Sequence, residues 1–129
     1  MYGICNKYQV YVKENETWEK FINLQYNEVP ELEKLLQEVP AKESEITKKN
    51  KTFFQDSFQQ QQNIMKEVNA ALTDQQKRLN GANSQIKGEE DEIDMLCRQD
   101  ILREKIKEVE KKYLELKCNF MTYLSSVLP

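Results

Sequence analysis

With 129 residues, 39% hydrophobic and 32% charged, and only 3 Gly and 3 Pro, the chain has room for one small domain and few places to turn. Its formal charge of −3 argues against general binding to nucleic acid or to an anionic membrane. The absence of histidine removes the commonest general base, the commonest metal ligand and the pH switch of the physiological range.

The first dozen residues read two ways. Tyr8, Val10 and Val12 alternate like a strand, whereas Ile4, Tyr8, Tyr11, Trp18, Ile22 and Val29 recur at helical spacing, with Asn15 and Gln25 on the same seam. Helix is the better reading from Glu14 onward, with Phe21 and Leu24 widening its apolar face and Trp18 anchoring the core or a partner. Two echoes follow, Glu28-Val29-Pro30 and Glu38-Val39-Pro40. Proline lacks an N–H, disfavours helix in the residue before it and is tolerated in a first turn. Breaks are therefore expected near both prolines, Pro30 opening a short helix with Leu32, Leu35 and Leu36 and Pro40 opening a long one. A kinked continuous helix is the alternative at either site.

The central segment carries Phe54, Phe58, Gln61, Met65, Val68, Leu72, Gln75, Leu79, Ala82 and Ile86 in alternating steps of 4 and 3. That average of about 3.5 residues keeps one stripe facing a neighbouring helix. Gln61 and Gln75 lie on the seam, where polar residues weaken association but fix register. Signals conflict between Asn80 and Gly88. Asn80-Gly81 is a turn or helix-stop dipeptide, and Gly88 precedes Glu89, Glu90, Asp91 and Glu92, acids suited to a helix start. The stripe nevertheless continues in phase through Ile86, Ile93 and Leu96, while Met95, Gln99 and Leu102 begin a different frame. A hairpin and one uninterrupted rod of roughly 125 Å both remain open.

The last third is the most strongly patterned. Leu102, Ile106, Val109, Tyr113, Leu116, Phe120, Tyr123 and Val127 recur in 4–3 steps. With Ile106, Tyr113 and Phe120 at a and Val109, Leu116 and Tyr123 at d, the flanks hold Arg98, Arg103, Lys105, Glu110, Lys112 and Lys117. A parallel self-pair would set Arg98 on Arg103 and Lys112 on Lys117, so an acidic partner fits better. Residues 14–45 supply one within the chain, with nine Glu against three Lys.

The sequence thus predicts an all-α chain of elongated coiled-coil helices, divided into an acidic helical segment (1–40), a central coil (41–80), a possible turn (81–88) and a C-terminal coil (89–129). The expected interface comprises Leu102, Ile106, Val109, Tyr113, Leu116, Phe120 and Tyr123, together with Trp18, Phe58, Met65, Val68 and Leu72. The partners expected are other helical or coiled-coil proteins in a hetero-oligomer, with no nucleic acid, no small-molecule substrate and no cofactor. A self-contained three-helix module, with corners near Pro40 and residues 81–88 and with Trp18 central, is the alternative.

Chemistry finds little foothold. The cluster from Glu89 to Asp94 lacks the interleaved oxygen ligands and central glycine of a calcium loop. Cys97 and Cys118 are not close in sequence and fit buried or incidental thiols. Lys48, Lys49 and Lys51 beside Phe53 and Phe54 read as a solvated helix face. No phosphate loop, nucleophile elbow or metal-ligand spacing occurs. No apolar run reaches the roughly 18 residues of a membrane span, and Met1 to Val12 lacks the pattern of a signal peptide. Three widely spaced cysteines fit a reducing compartment, cytoplasm or nucleus. In composition and periodicity, though in no motif, the chain resembles coiled-coil subunits of eukaryotic assemblies such as kinetochore, centrosome, cytoskeleton, meiotic axis or vesicle tether. A helical pattern that starts almost at residue 1 is what a fragment or short isoform would show.

Overall fold

The computed structural model describes residues 6–40, 45–85 and 89–127, and these form three α-helices. α1 spans Asn6–Glu38, α2 Glu45–Gln85 and α3 Glu89–Val127. At 1.5 Å per residue they are rods of roughly 50, 60 and 60 Å. Abundant Glu, Lys, Gln and Leu favour the helical backbone. The apolar stripes then bury each rod against the others, which isolated helices cannot do alone.

Side-chain bonds fix the topology. The Gln61 amide donates to the Val109 carbonyl and the Gln75 amide to that of Met95, so α2 and α3 run antiparallel. Gln76 donates to the Val12 carbonyl and Gln62 to that of Tyr26, so α1 and α2 are antiparallel as well. Glu14 pairs with Arg103 and Glu28 with Lys117, which makes α1 and α3 parallel. The chain is an up-down-up three-helix bundle. The chain reverses between α2 and α3, as the hairpin reading has it, and the two stripe frames belong to two helices, so no insertion in a single coil is needed. However, α2 runs through Asn80-Gly81 to Gln85, so that dipeptide does not stop the helix and the expected turn at 81–88 starts too early. Residues 86–88, Cys5, and the side chains of Ala82, Ile86 and Glu89 to Asp91 lie outside the described residues.

A main core fills most of the bundle, and a smaller cluster of Leu79 and Met95, with Tyr11 and Val12 against it, lies at the end beyond Asn15 and Gln99. To the main core α1 contributes Ile22, Val29, Leu32, Leu36 and Val39, α2 contributes Phe54, Phe58, Met65, Val68 and Leu72, and α3 contributes Leu102, Ile106, Val109, Tyr113, Phe120 and Leu124. An aromatic group closes one end. Phe58 and Phe120 meet edge to face at 5.0 Å between ring centroids, and Phe54 lies 5.2 Å from Phe120 and 5.1 Å from Tyr123.

Pro30 does not open a helix, contrary to the sequence expectation: α1 passes through it. A proline at position 30 leaves the carbonyl of residue 26 without its helical donor. Gln62 reaches across from α2 to that carbonyl at 3.5 Å, so tertiary contact partly restores what the ring removes. Pro40 behaves as a stop; the long helix expected to open there is described from Glu45 onward, and residues 41–44 lie outside the described residues. α1 ends at Glu38, the Val39 N–H closes a tight last turn on the Leu36 carbonyl at 3.2 Å, and Lys51 of α2 caps the Val39 carbonyl at 2.7 Å. The first turns beyond Asn6 are helical rather than extended.

Candidate functional site

Two features stand out above the apolar core: a buried polar layer, and an outer face on which apolar side chains are left bare.

The polar layer is built from one seam position on each helix. Asn15, Gln75 and Gln99 are buried, and Gln99 is its hub. The Gln99 amide donates to Glu14 Oε1 and to Asn15 Oδ1, both at 2.8 Å. Its carbonyl oxygen accepts from Asn15 Nδ2 and Gln75 Nε2, both at 3.3 Å. Asn15 also donates to Gln76 Oε1 at 3.1 Å. Around this layer Arg103 grips Glu14 through two N–H groups at 3.0 and 2.7 Å, holds Asp100 at 2.6 Å and lies 5.9 Å from the centre of the Trp18 ring. The hydrogen bond to Glu14 is the chief reason the guanidinium is an even weaker acid than usual. Burial, and then the negative charge of Asp100, raises the Tyr11 hydroxyl above its ordinary value. This network satisfies buried amides and sets the register of three helices at one level.

A second ionic group repeats the α1–α3 link further along. The Tyr113 hydroxyl donates to Glu28, and Lys117 pairs with the same carboxylate at 2.9 Å. The hydroxyl bond first, and Lys117 second, hold the Glu28 carboxyl below the usual range. Burial first, and the carboxylate second, push the Tyr113 hydroxyl well above its ordinary value. Both α1–α3 ion pairs join residues 89 apart, so this offset relates positions at equal height on the two parallel helices.

The residues expected at a partner interface are placed as follows. Leu102, Ile106, Val109, Tyr113 and Phe120 are buried, with Leu116 and Tyr123 half-buried against the same cluster. Phe58, Met65, Val68 and Leu72 are buried opposite them, and Trp18 is half-buried beside Arg103. All pack against helices of their own chain, Leu116, Tyr123 and Trp18 only in part. Phe21 and Leu24 do not join the core. With Val10 they lie along the side of α1 next to α3, and Leu96, Leu114 and Met121 lie along the facing side of α3. The backbones of α1 and α3 also approach each other less closely than either approaches α2. These exposed apolar side chains flank the two ion pairs that join α1 to α3. A groove of about 210 Å³ lies between α2 and α3, with Ile64, Val68 and Val109 in it and Glu67, Lys105 and Lys112 at its rim.

Sequence reasoning missed the hub role of Gln99 and the burial of Leu124, which sits one residue beyond the d position Tyr123. The signal for the first was available: Asn15, Gln75 and Gln99 are all polar residues on stripe positions. Cys97 and Cys118 are exposed, contrary to the buried alternative for these thiols. Among the described residues, no group of three or more His, Cys, Asp or Glu side chains could hold a metal ion, and no helix is long and apolar enough to cross a membrane. Comparison with protein-family models, curated proteins and solved structures yields no match.

Proposed function

We propose that this chain is a non-enzymatic helical interaction module, a three-helix bundle that acts as a small adaptor or structural subunit of an intracellular multi-protein assembly. One observation carries the reading. The core is complete within one chain, yet Phe21, Leu24, Leu114 and Met121 remain exposed on the α1–α3 side of the bundle. Exposed apolar patches of a few hundred Å² on a monomer often mark contact surfaces. This reading assigns no catalytic residue, cofactor or small-molecule substrate. Acidic side chains abound, but on exposed helix surfaces they stay solvated. The partners it assigns are helical proteins that lie along the rods.

The open-coil alternative, in which Leu102, Ile106, Val109 and their neighbours meet another protein directly, differs in one measurable respect. A closed bundle melts cooperatively on its own, and chemical denaturation followed by circular dichroism and by Trp18 fluorescence gives coincident transitions. Non-coincident, shallow transitions that sharpen only when a partner is added would reject the closed module in favour of the open subunit.

A further inference from the structure

We infer that the α1–α3 face binds a second copy of this chain, through a two-fold axis parallel to the bundle. The inference deepens the interaction-module reading and rests on it. The face has a constant register: α1 and α3 are parallel, and positions 89 apart lie at the same height. Leu24 therefore sits level with residue 113, next to Leu114. A two-fold axis along the bundle lays α1 of each copy on α3 of the other without changing height. Leu24 of each copy then falls on the partner's Leu114, and the contact is isologous, as a closed dimer requires.

Charge does not oppose this arrangement. With Glu14–Arg103 and Glu28–Lys117 already paired within the chain, α1 keeps four Lys and five Glu, a net of −1, and residues 95–127, which lie at the same heights on α3, keep five basic and five acidic residues, a net of zero. The axis along the bundle therefore brings no like-charged helices together, whereas an axis across the bundle would place α1 on α1. Area is consistent with a modest dimer. Phe21 is 49% exposed, Leu24 68%, Leu114 60%, Met121 39%, Val10 60% and Leu96 38%. For side chains of about 150–200 Å² each this amounts to roughly 500–600 Å² of apolar residue surface per copy. A polar rim brings that near the roughly 800 Å² per partner of a standard interface.

The test is the mass in solution. Sedimentation velocity of the full chain at about 50–100 μM under reducing conditions should give a species of twice 15.4 kDa. The variant carrying Leu24→Glu and Leu114→Glu should halve that mass with unchanged helical circular dichroism, because both side chains are outside the core. Orientation is read by mixing two cysteine-free proteins (Cys5, Cys97 and Cys118 each replaced by Ser), one carrying Leu24→Cys and the other Leu114→Cys. A covalent dimer that forms in the mixture, and much more slowly in either protein alone, is expected. A cooperatively folding monomer, a double variant that stays dimeric, or Leu24→Cys cross-linking mainly to itself would each overturn the dimer while leaving the closed-bundle reading standing. Non-cooperative unfolding would overturn both.

Discussion

Replacing the hub of the polar layer, Gln99→Leu, removes four hydrogen bonds at once. Asn15 Nδ2 keeps Gln76, Gln75 Nε2 keeps the Met95 carbonyl and Glu14 keeps Arg103. Among the described residues, Asn15 Oδ1 accepts only from Gln99, so the substitution leaves a buried acceptor without a donor. An orphaned buried polar group costs about 1–3 kcal/mol, and the bond to the Glu14 carboxylate is charge-assisted, worth about 1.5–3 kcal/mol. The added apolar burial of leucine recovers about 1–2 kcal/mol. The net expectation is a loss of about 0.5–5 kcal/mol, a midpoint lower by roughly 2–20 °C for a chain of this size.

The companion variant replaces Asn15, Gln75 and Gln99 together by Leu. With no amide left on the three seam positions the same principle reverses, and stability should return to the parent value or exceed it by about 1–4 kcal/mol. Register should loosen, because the seams of all three helices then become apolar through this level. Urea denaturation gives the free energies, and the dispersion of amide resonances reports whether one register survives. A triple variant less stable than the single one would refute the reasoning, since the layer would then stabilise the fold outright instead of specifying its alignment.

Phe58, fully buried between Phe54 and Phe120, should cost about 3–5 kcal/mol on replacement by Ala, measured as a fall in the denaturant midpoint at unchanged m-value. Pro30→Ala should stabilise the chain by about 1–3 kcal/mol, because it restores the helical donor to the Tyr26 carbonyl; a loss would mean that the bundle needs the bend. The Tyr113–Glu28 bond gives stability a pH signature at both ends. Tyr113 has a folded pKa above its ordinary 10.0, so its contribution is complete below that pH and fades as pH rises beyond it. Glu28 has a folded pKa below its ordinary 4.5, so its contribution is present above that pH and is lost as pH falls through the folded value. Tyr113→Phe should lower stability near neutral pH and flatten both limbs of the profile. Unchanged limbs in a urea series from pH 2 to 11 would contradict this assignment.

Periodicity exposed most of this fold, and particular residues show where it ran out. The 4–3 stripes located nearly every buried side chain of α2 and α3, because a seam position is buried whichever helix covers it. They could not say whether the cover comes from the same chain or another, since a coil of several chains and a bundle of one impose the same spacing. The frame shift between Leu96 and Leu102 held the answer. Ile93 and Leu96 continue the α2 stripe and are exposed, while Met95 and Gln99 begin the α3 stripe and are buried. The basic flanks at Arg103 and Lys117 pointed to an acidic companion, and α1 supplies it through Glu14 and Glu28. Pro30 misled because local backbone chemistry counts a lost hydrogen bond, whereas long-range packing and Gln62 outweigh it. Phe21 and Leu24 misled because a helix face wide enough to be apolar on two sides does not reveal which side the neighbours will leave bare.

An odd number of alternating rods has a mechanical consequence. Asn6 and Val127 lie at opposite poles of the bundle, roughly 50 Å apart. Whatever is joined to those two poles is held at that distance in a fixed direction, as by a strut. Tension between the poles would slide α1 and α3 along α2, loading Gln61, Gln62, Gln75 and Gln76 together, so the ties would share the strain in shear and not open one after another.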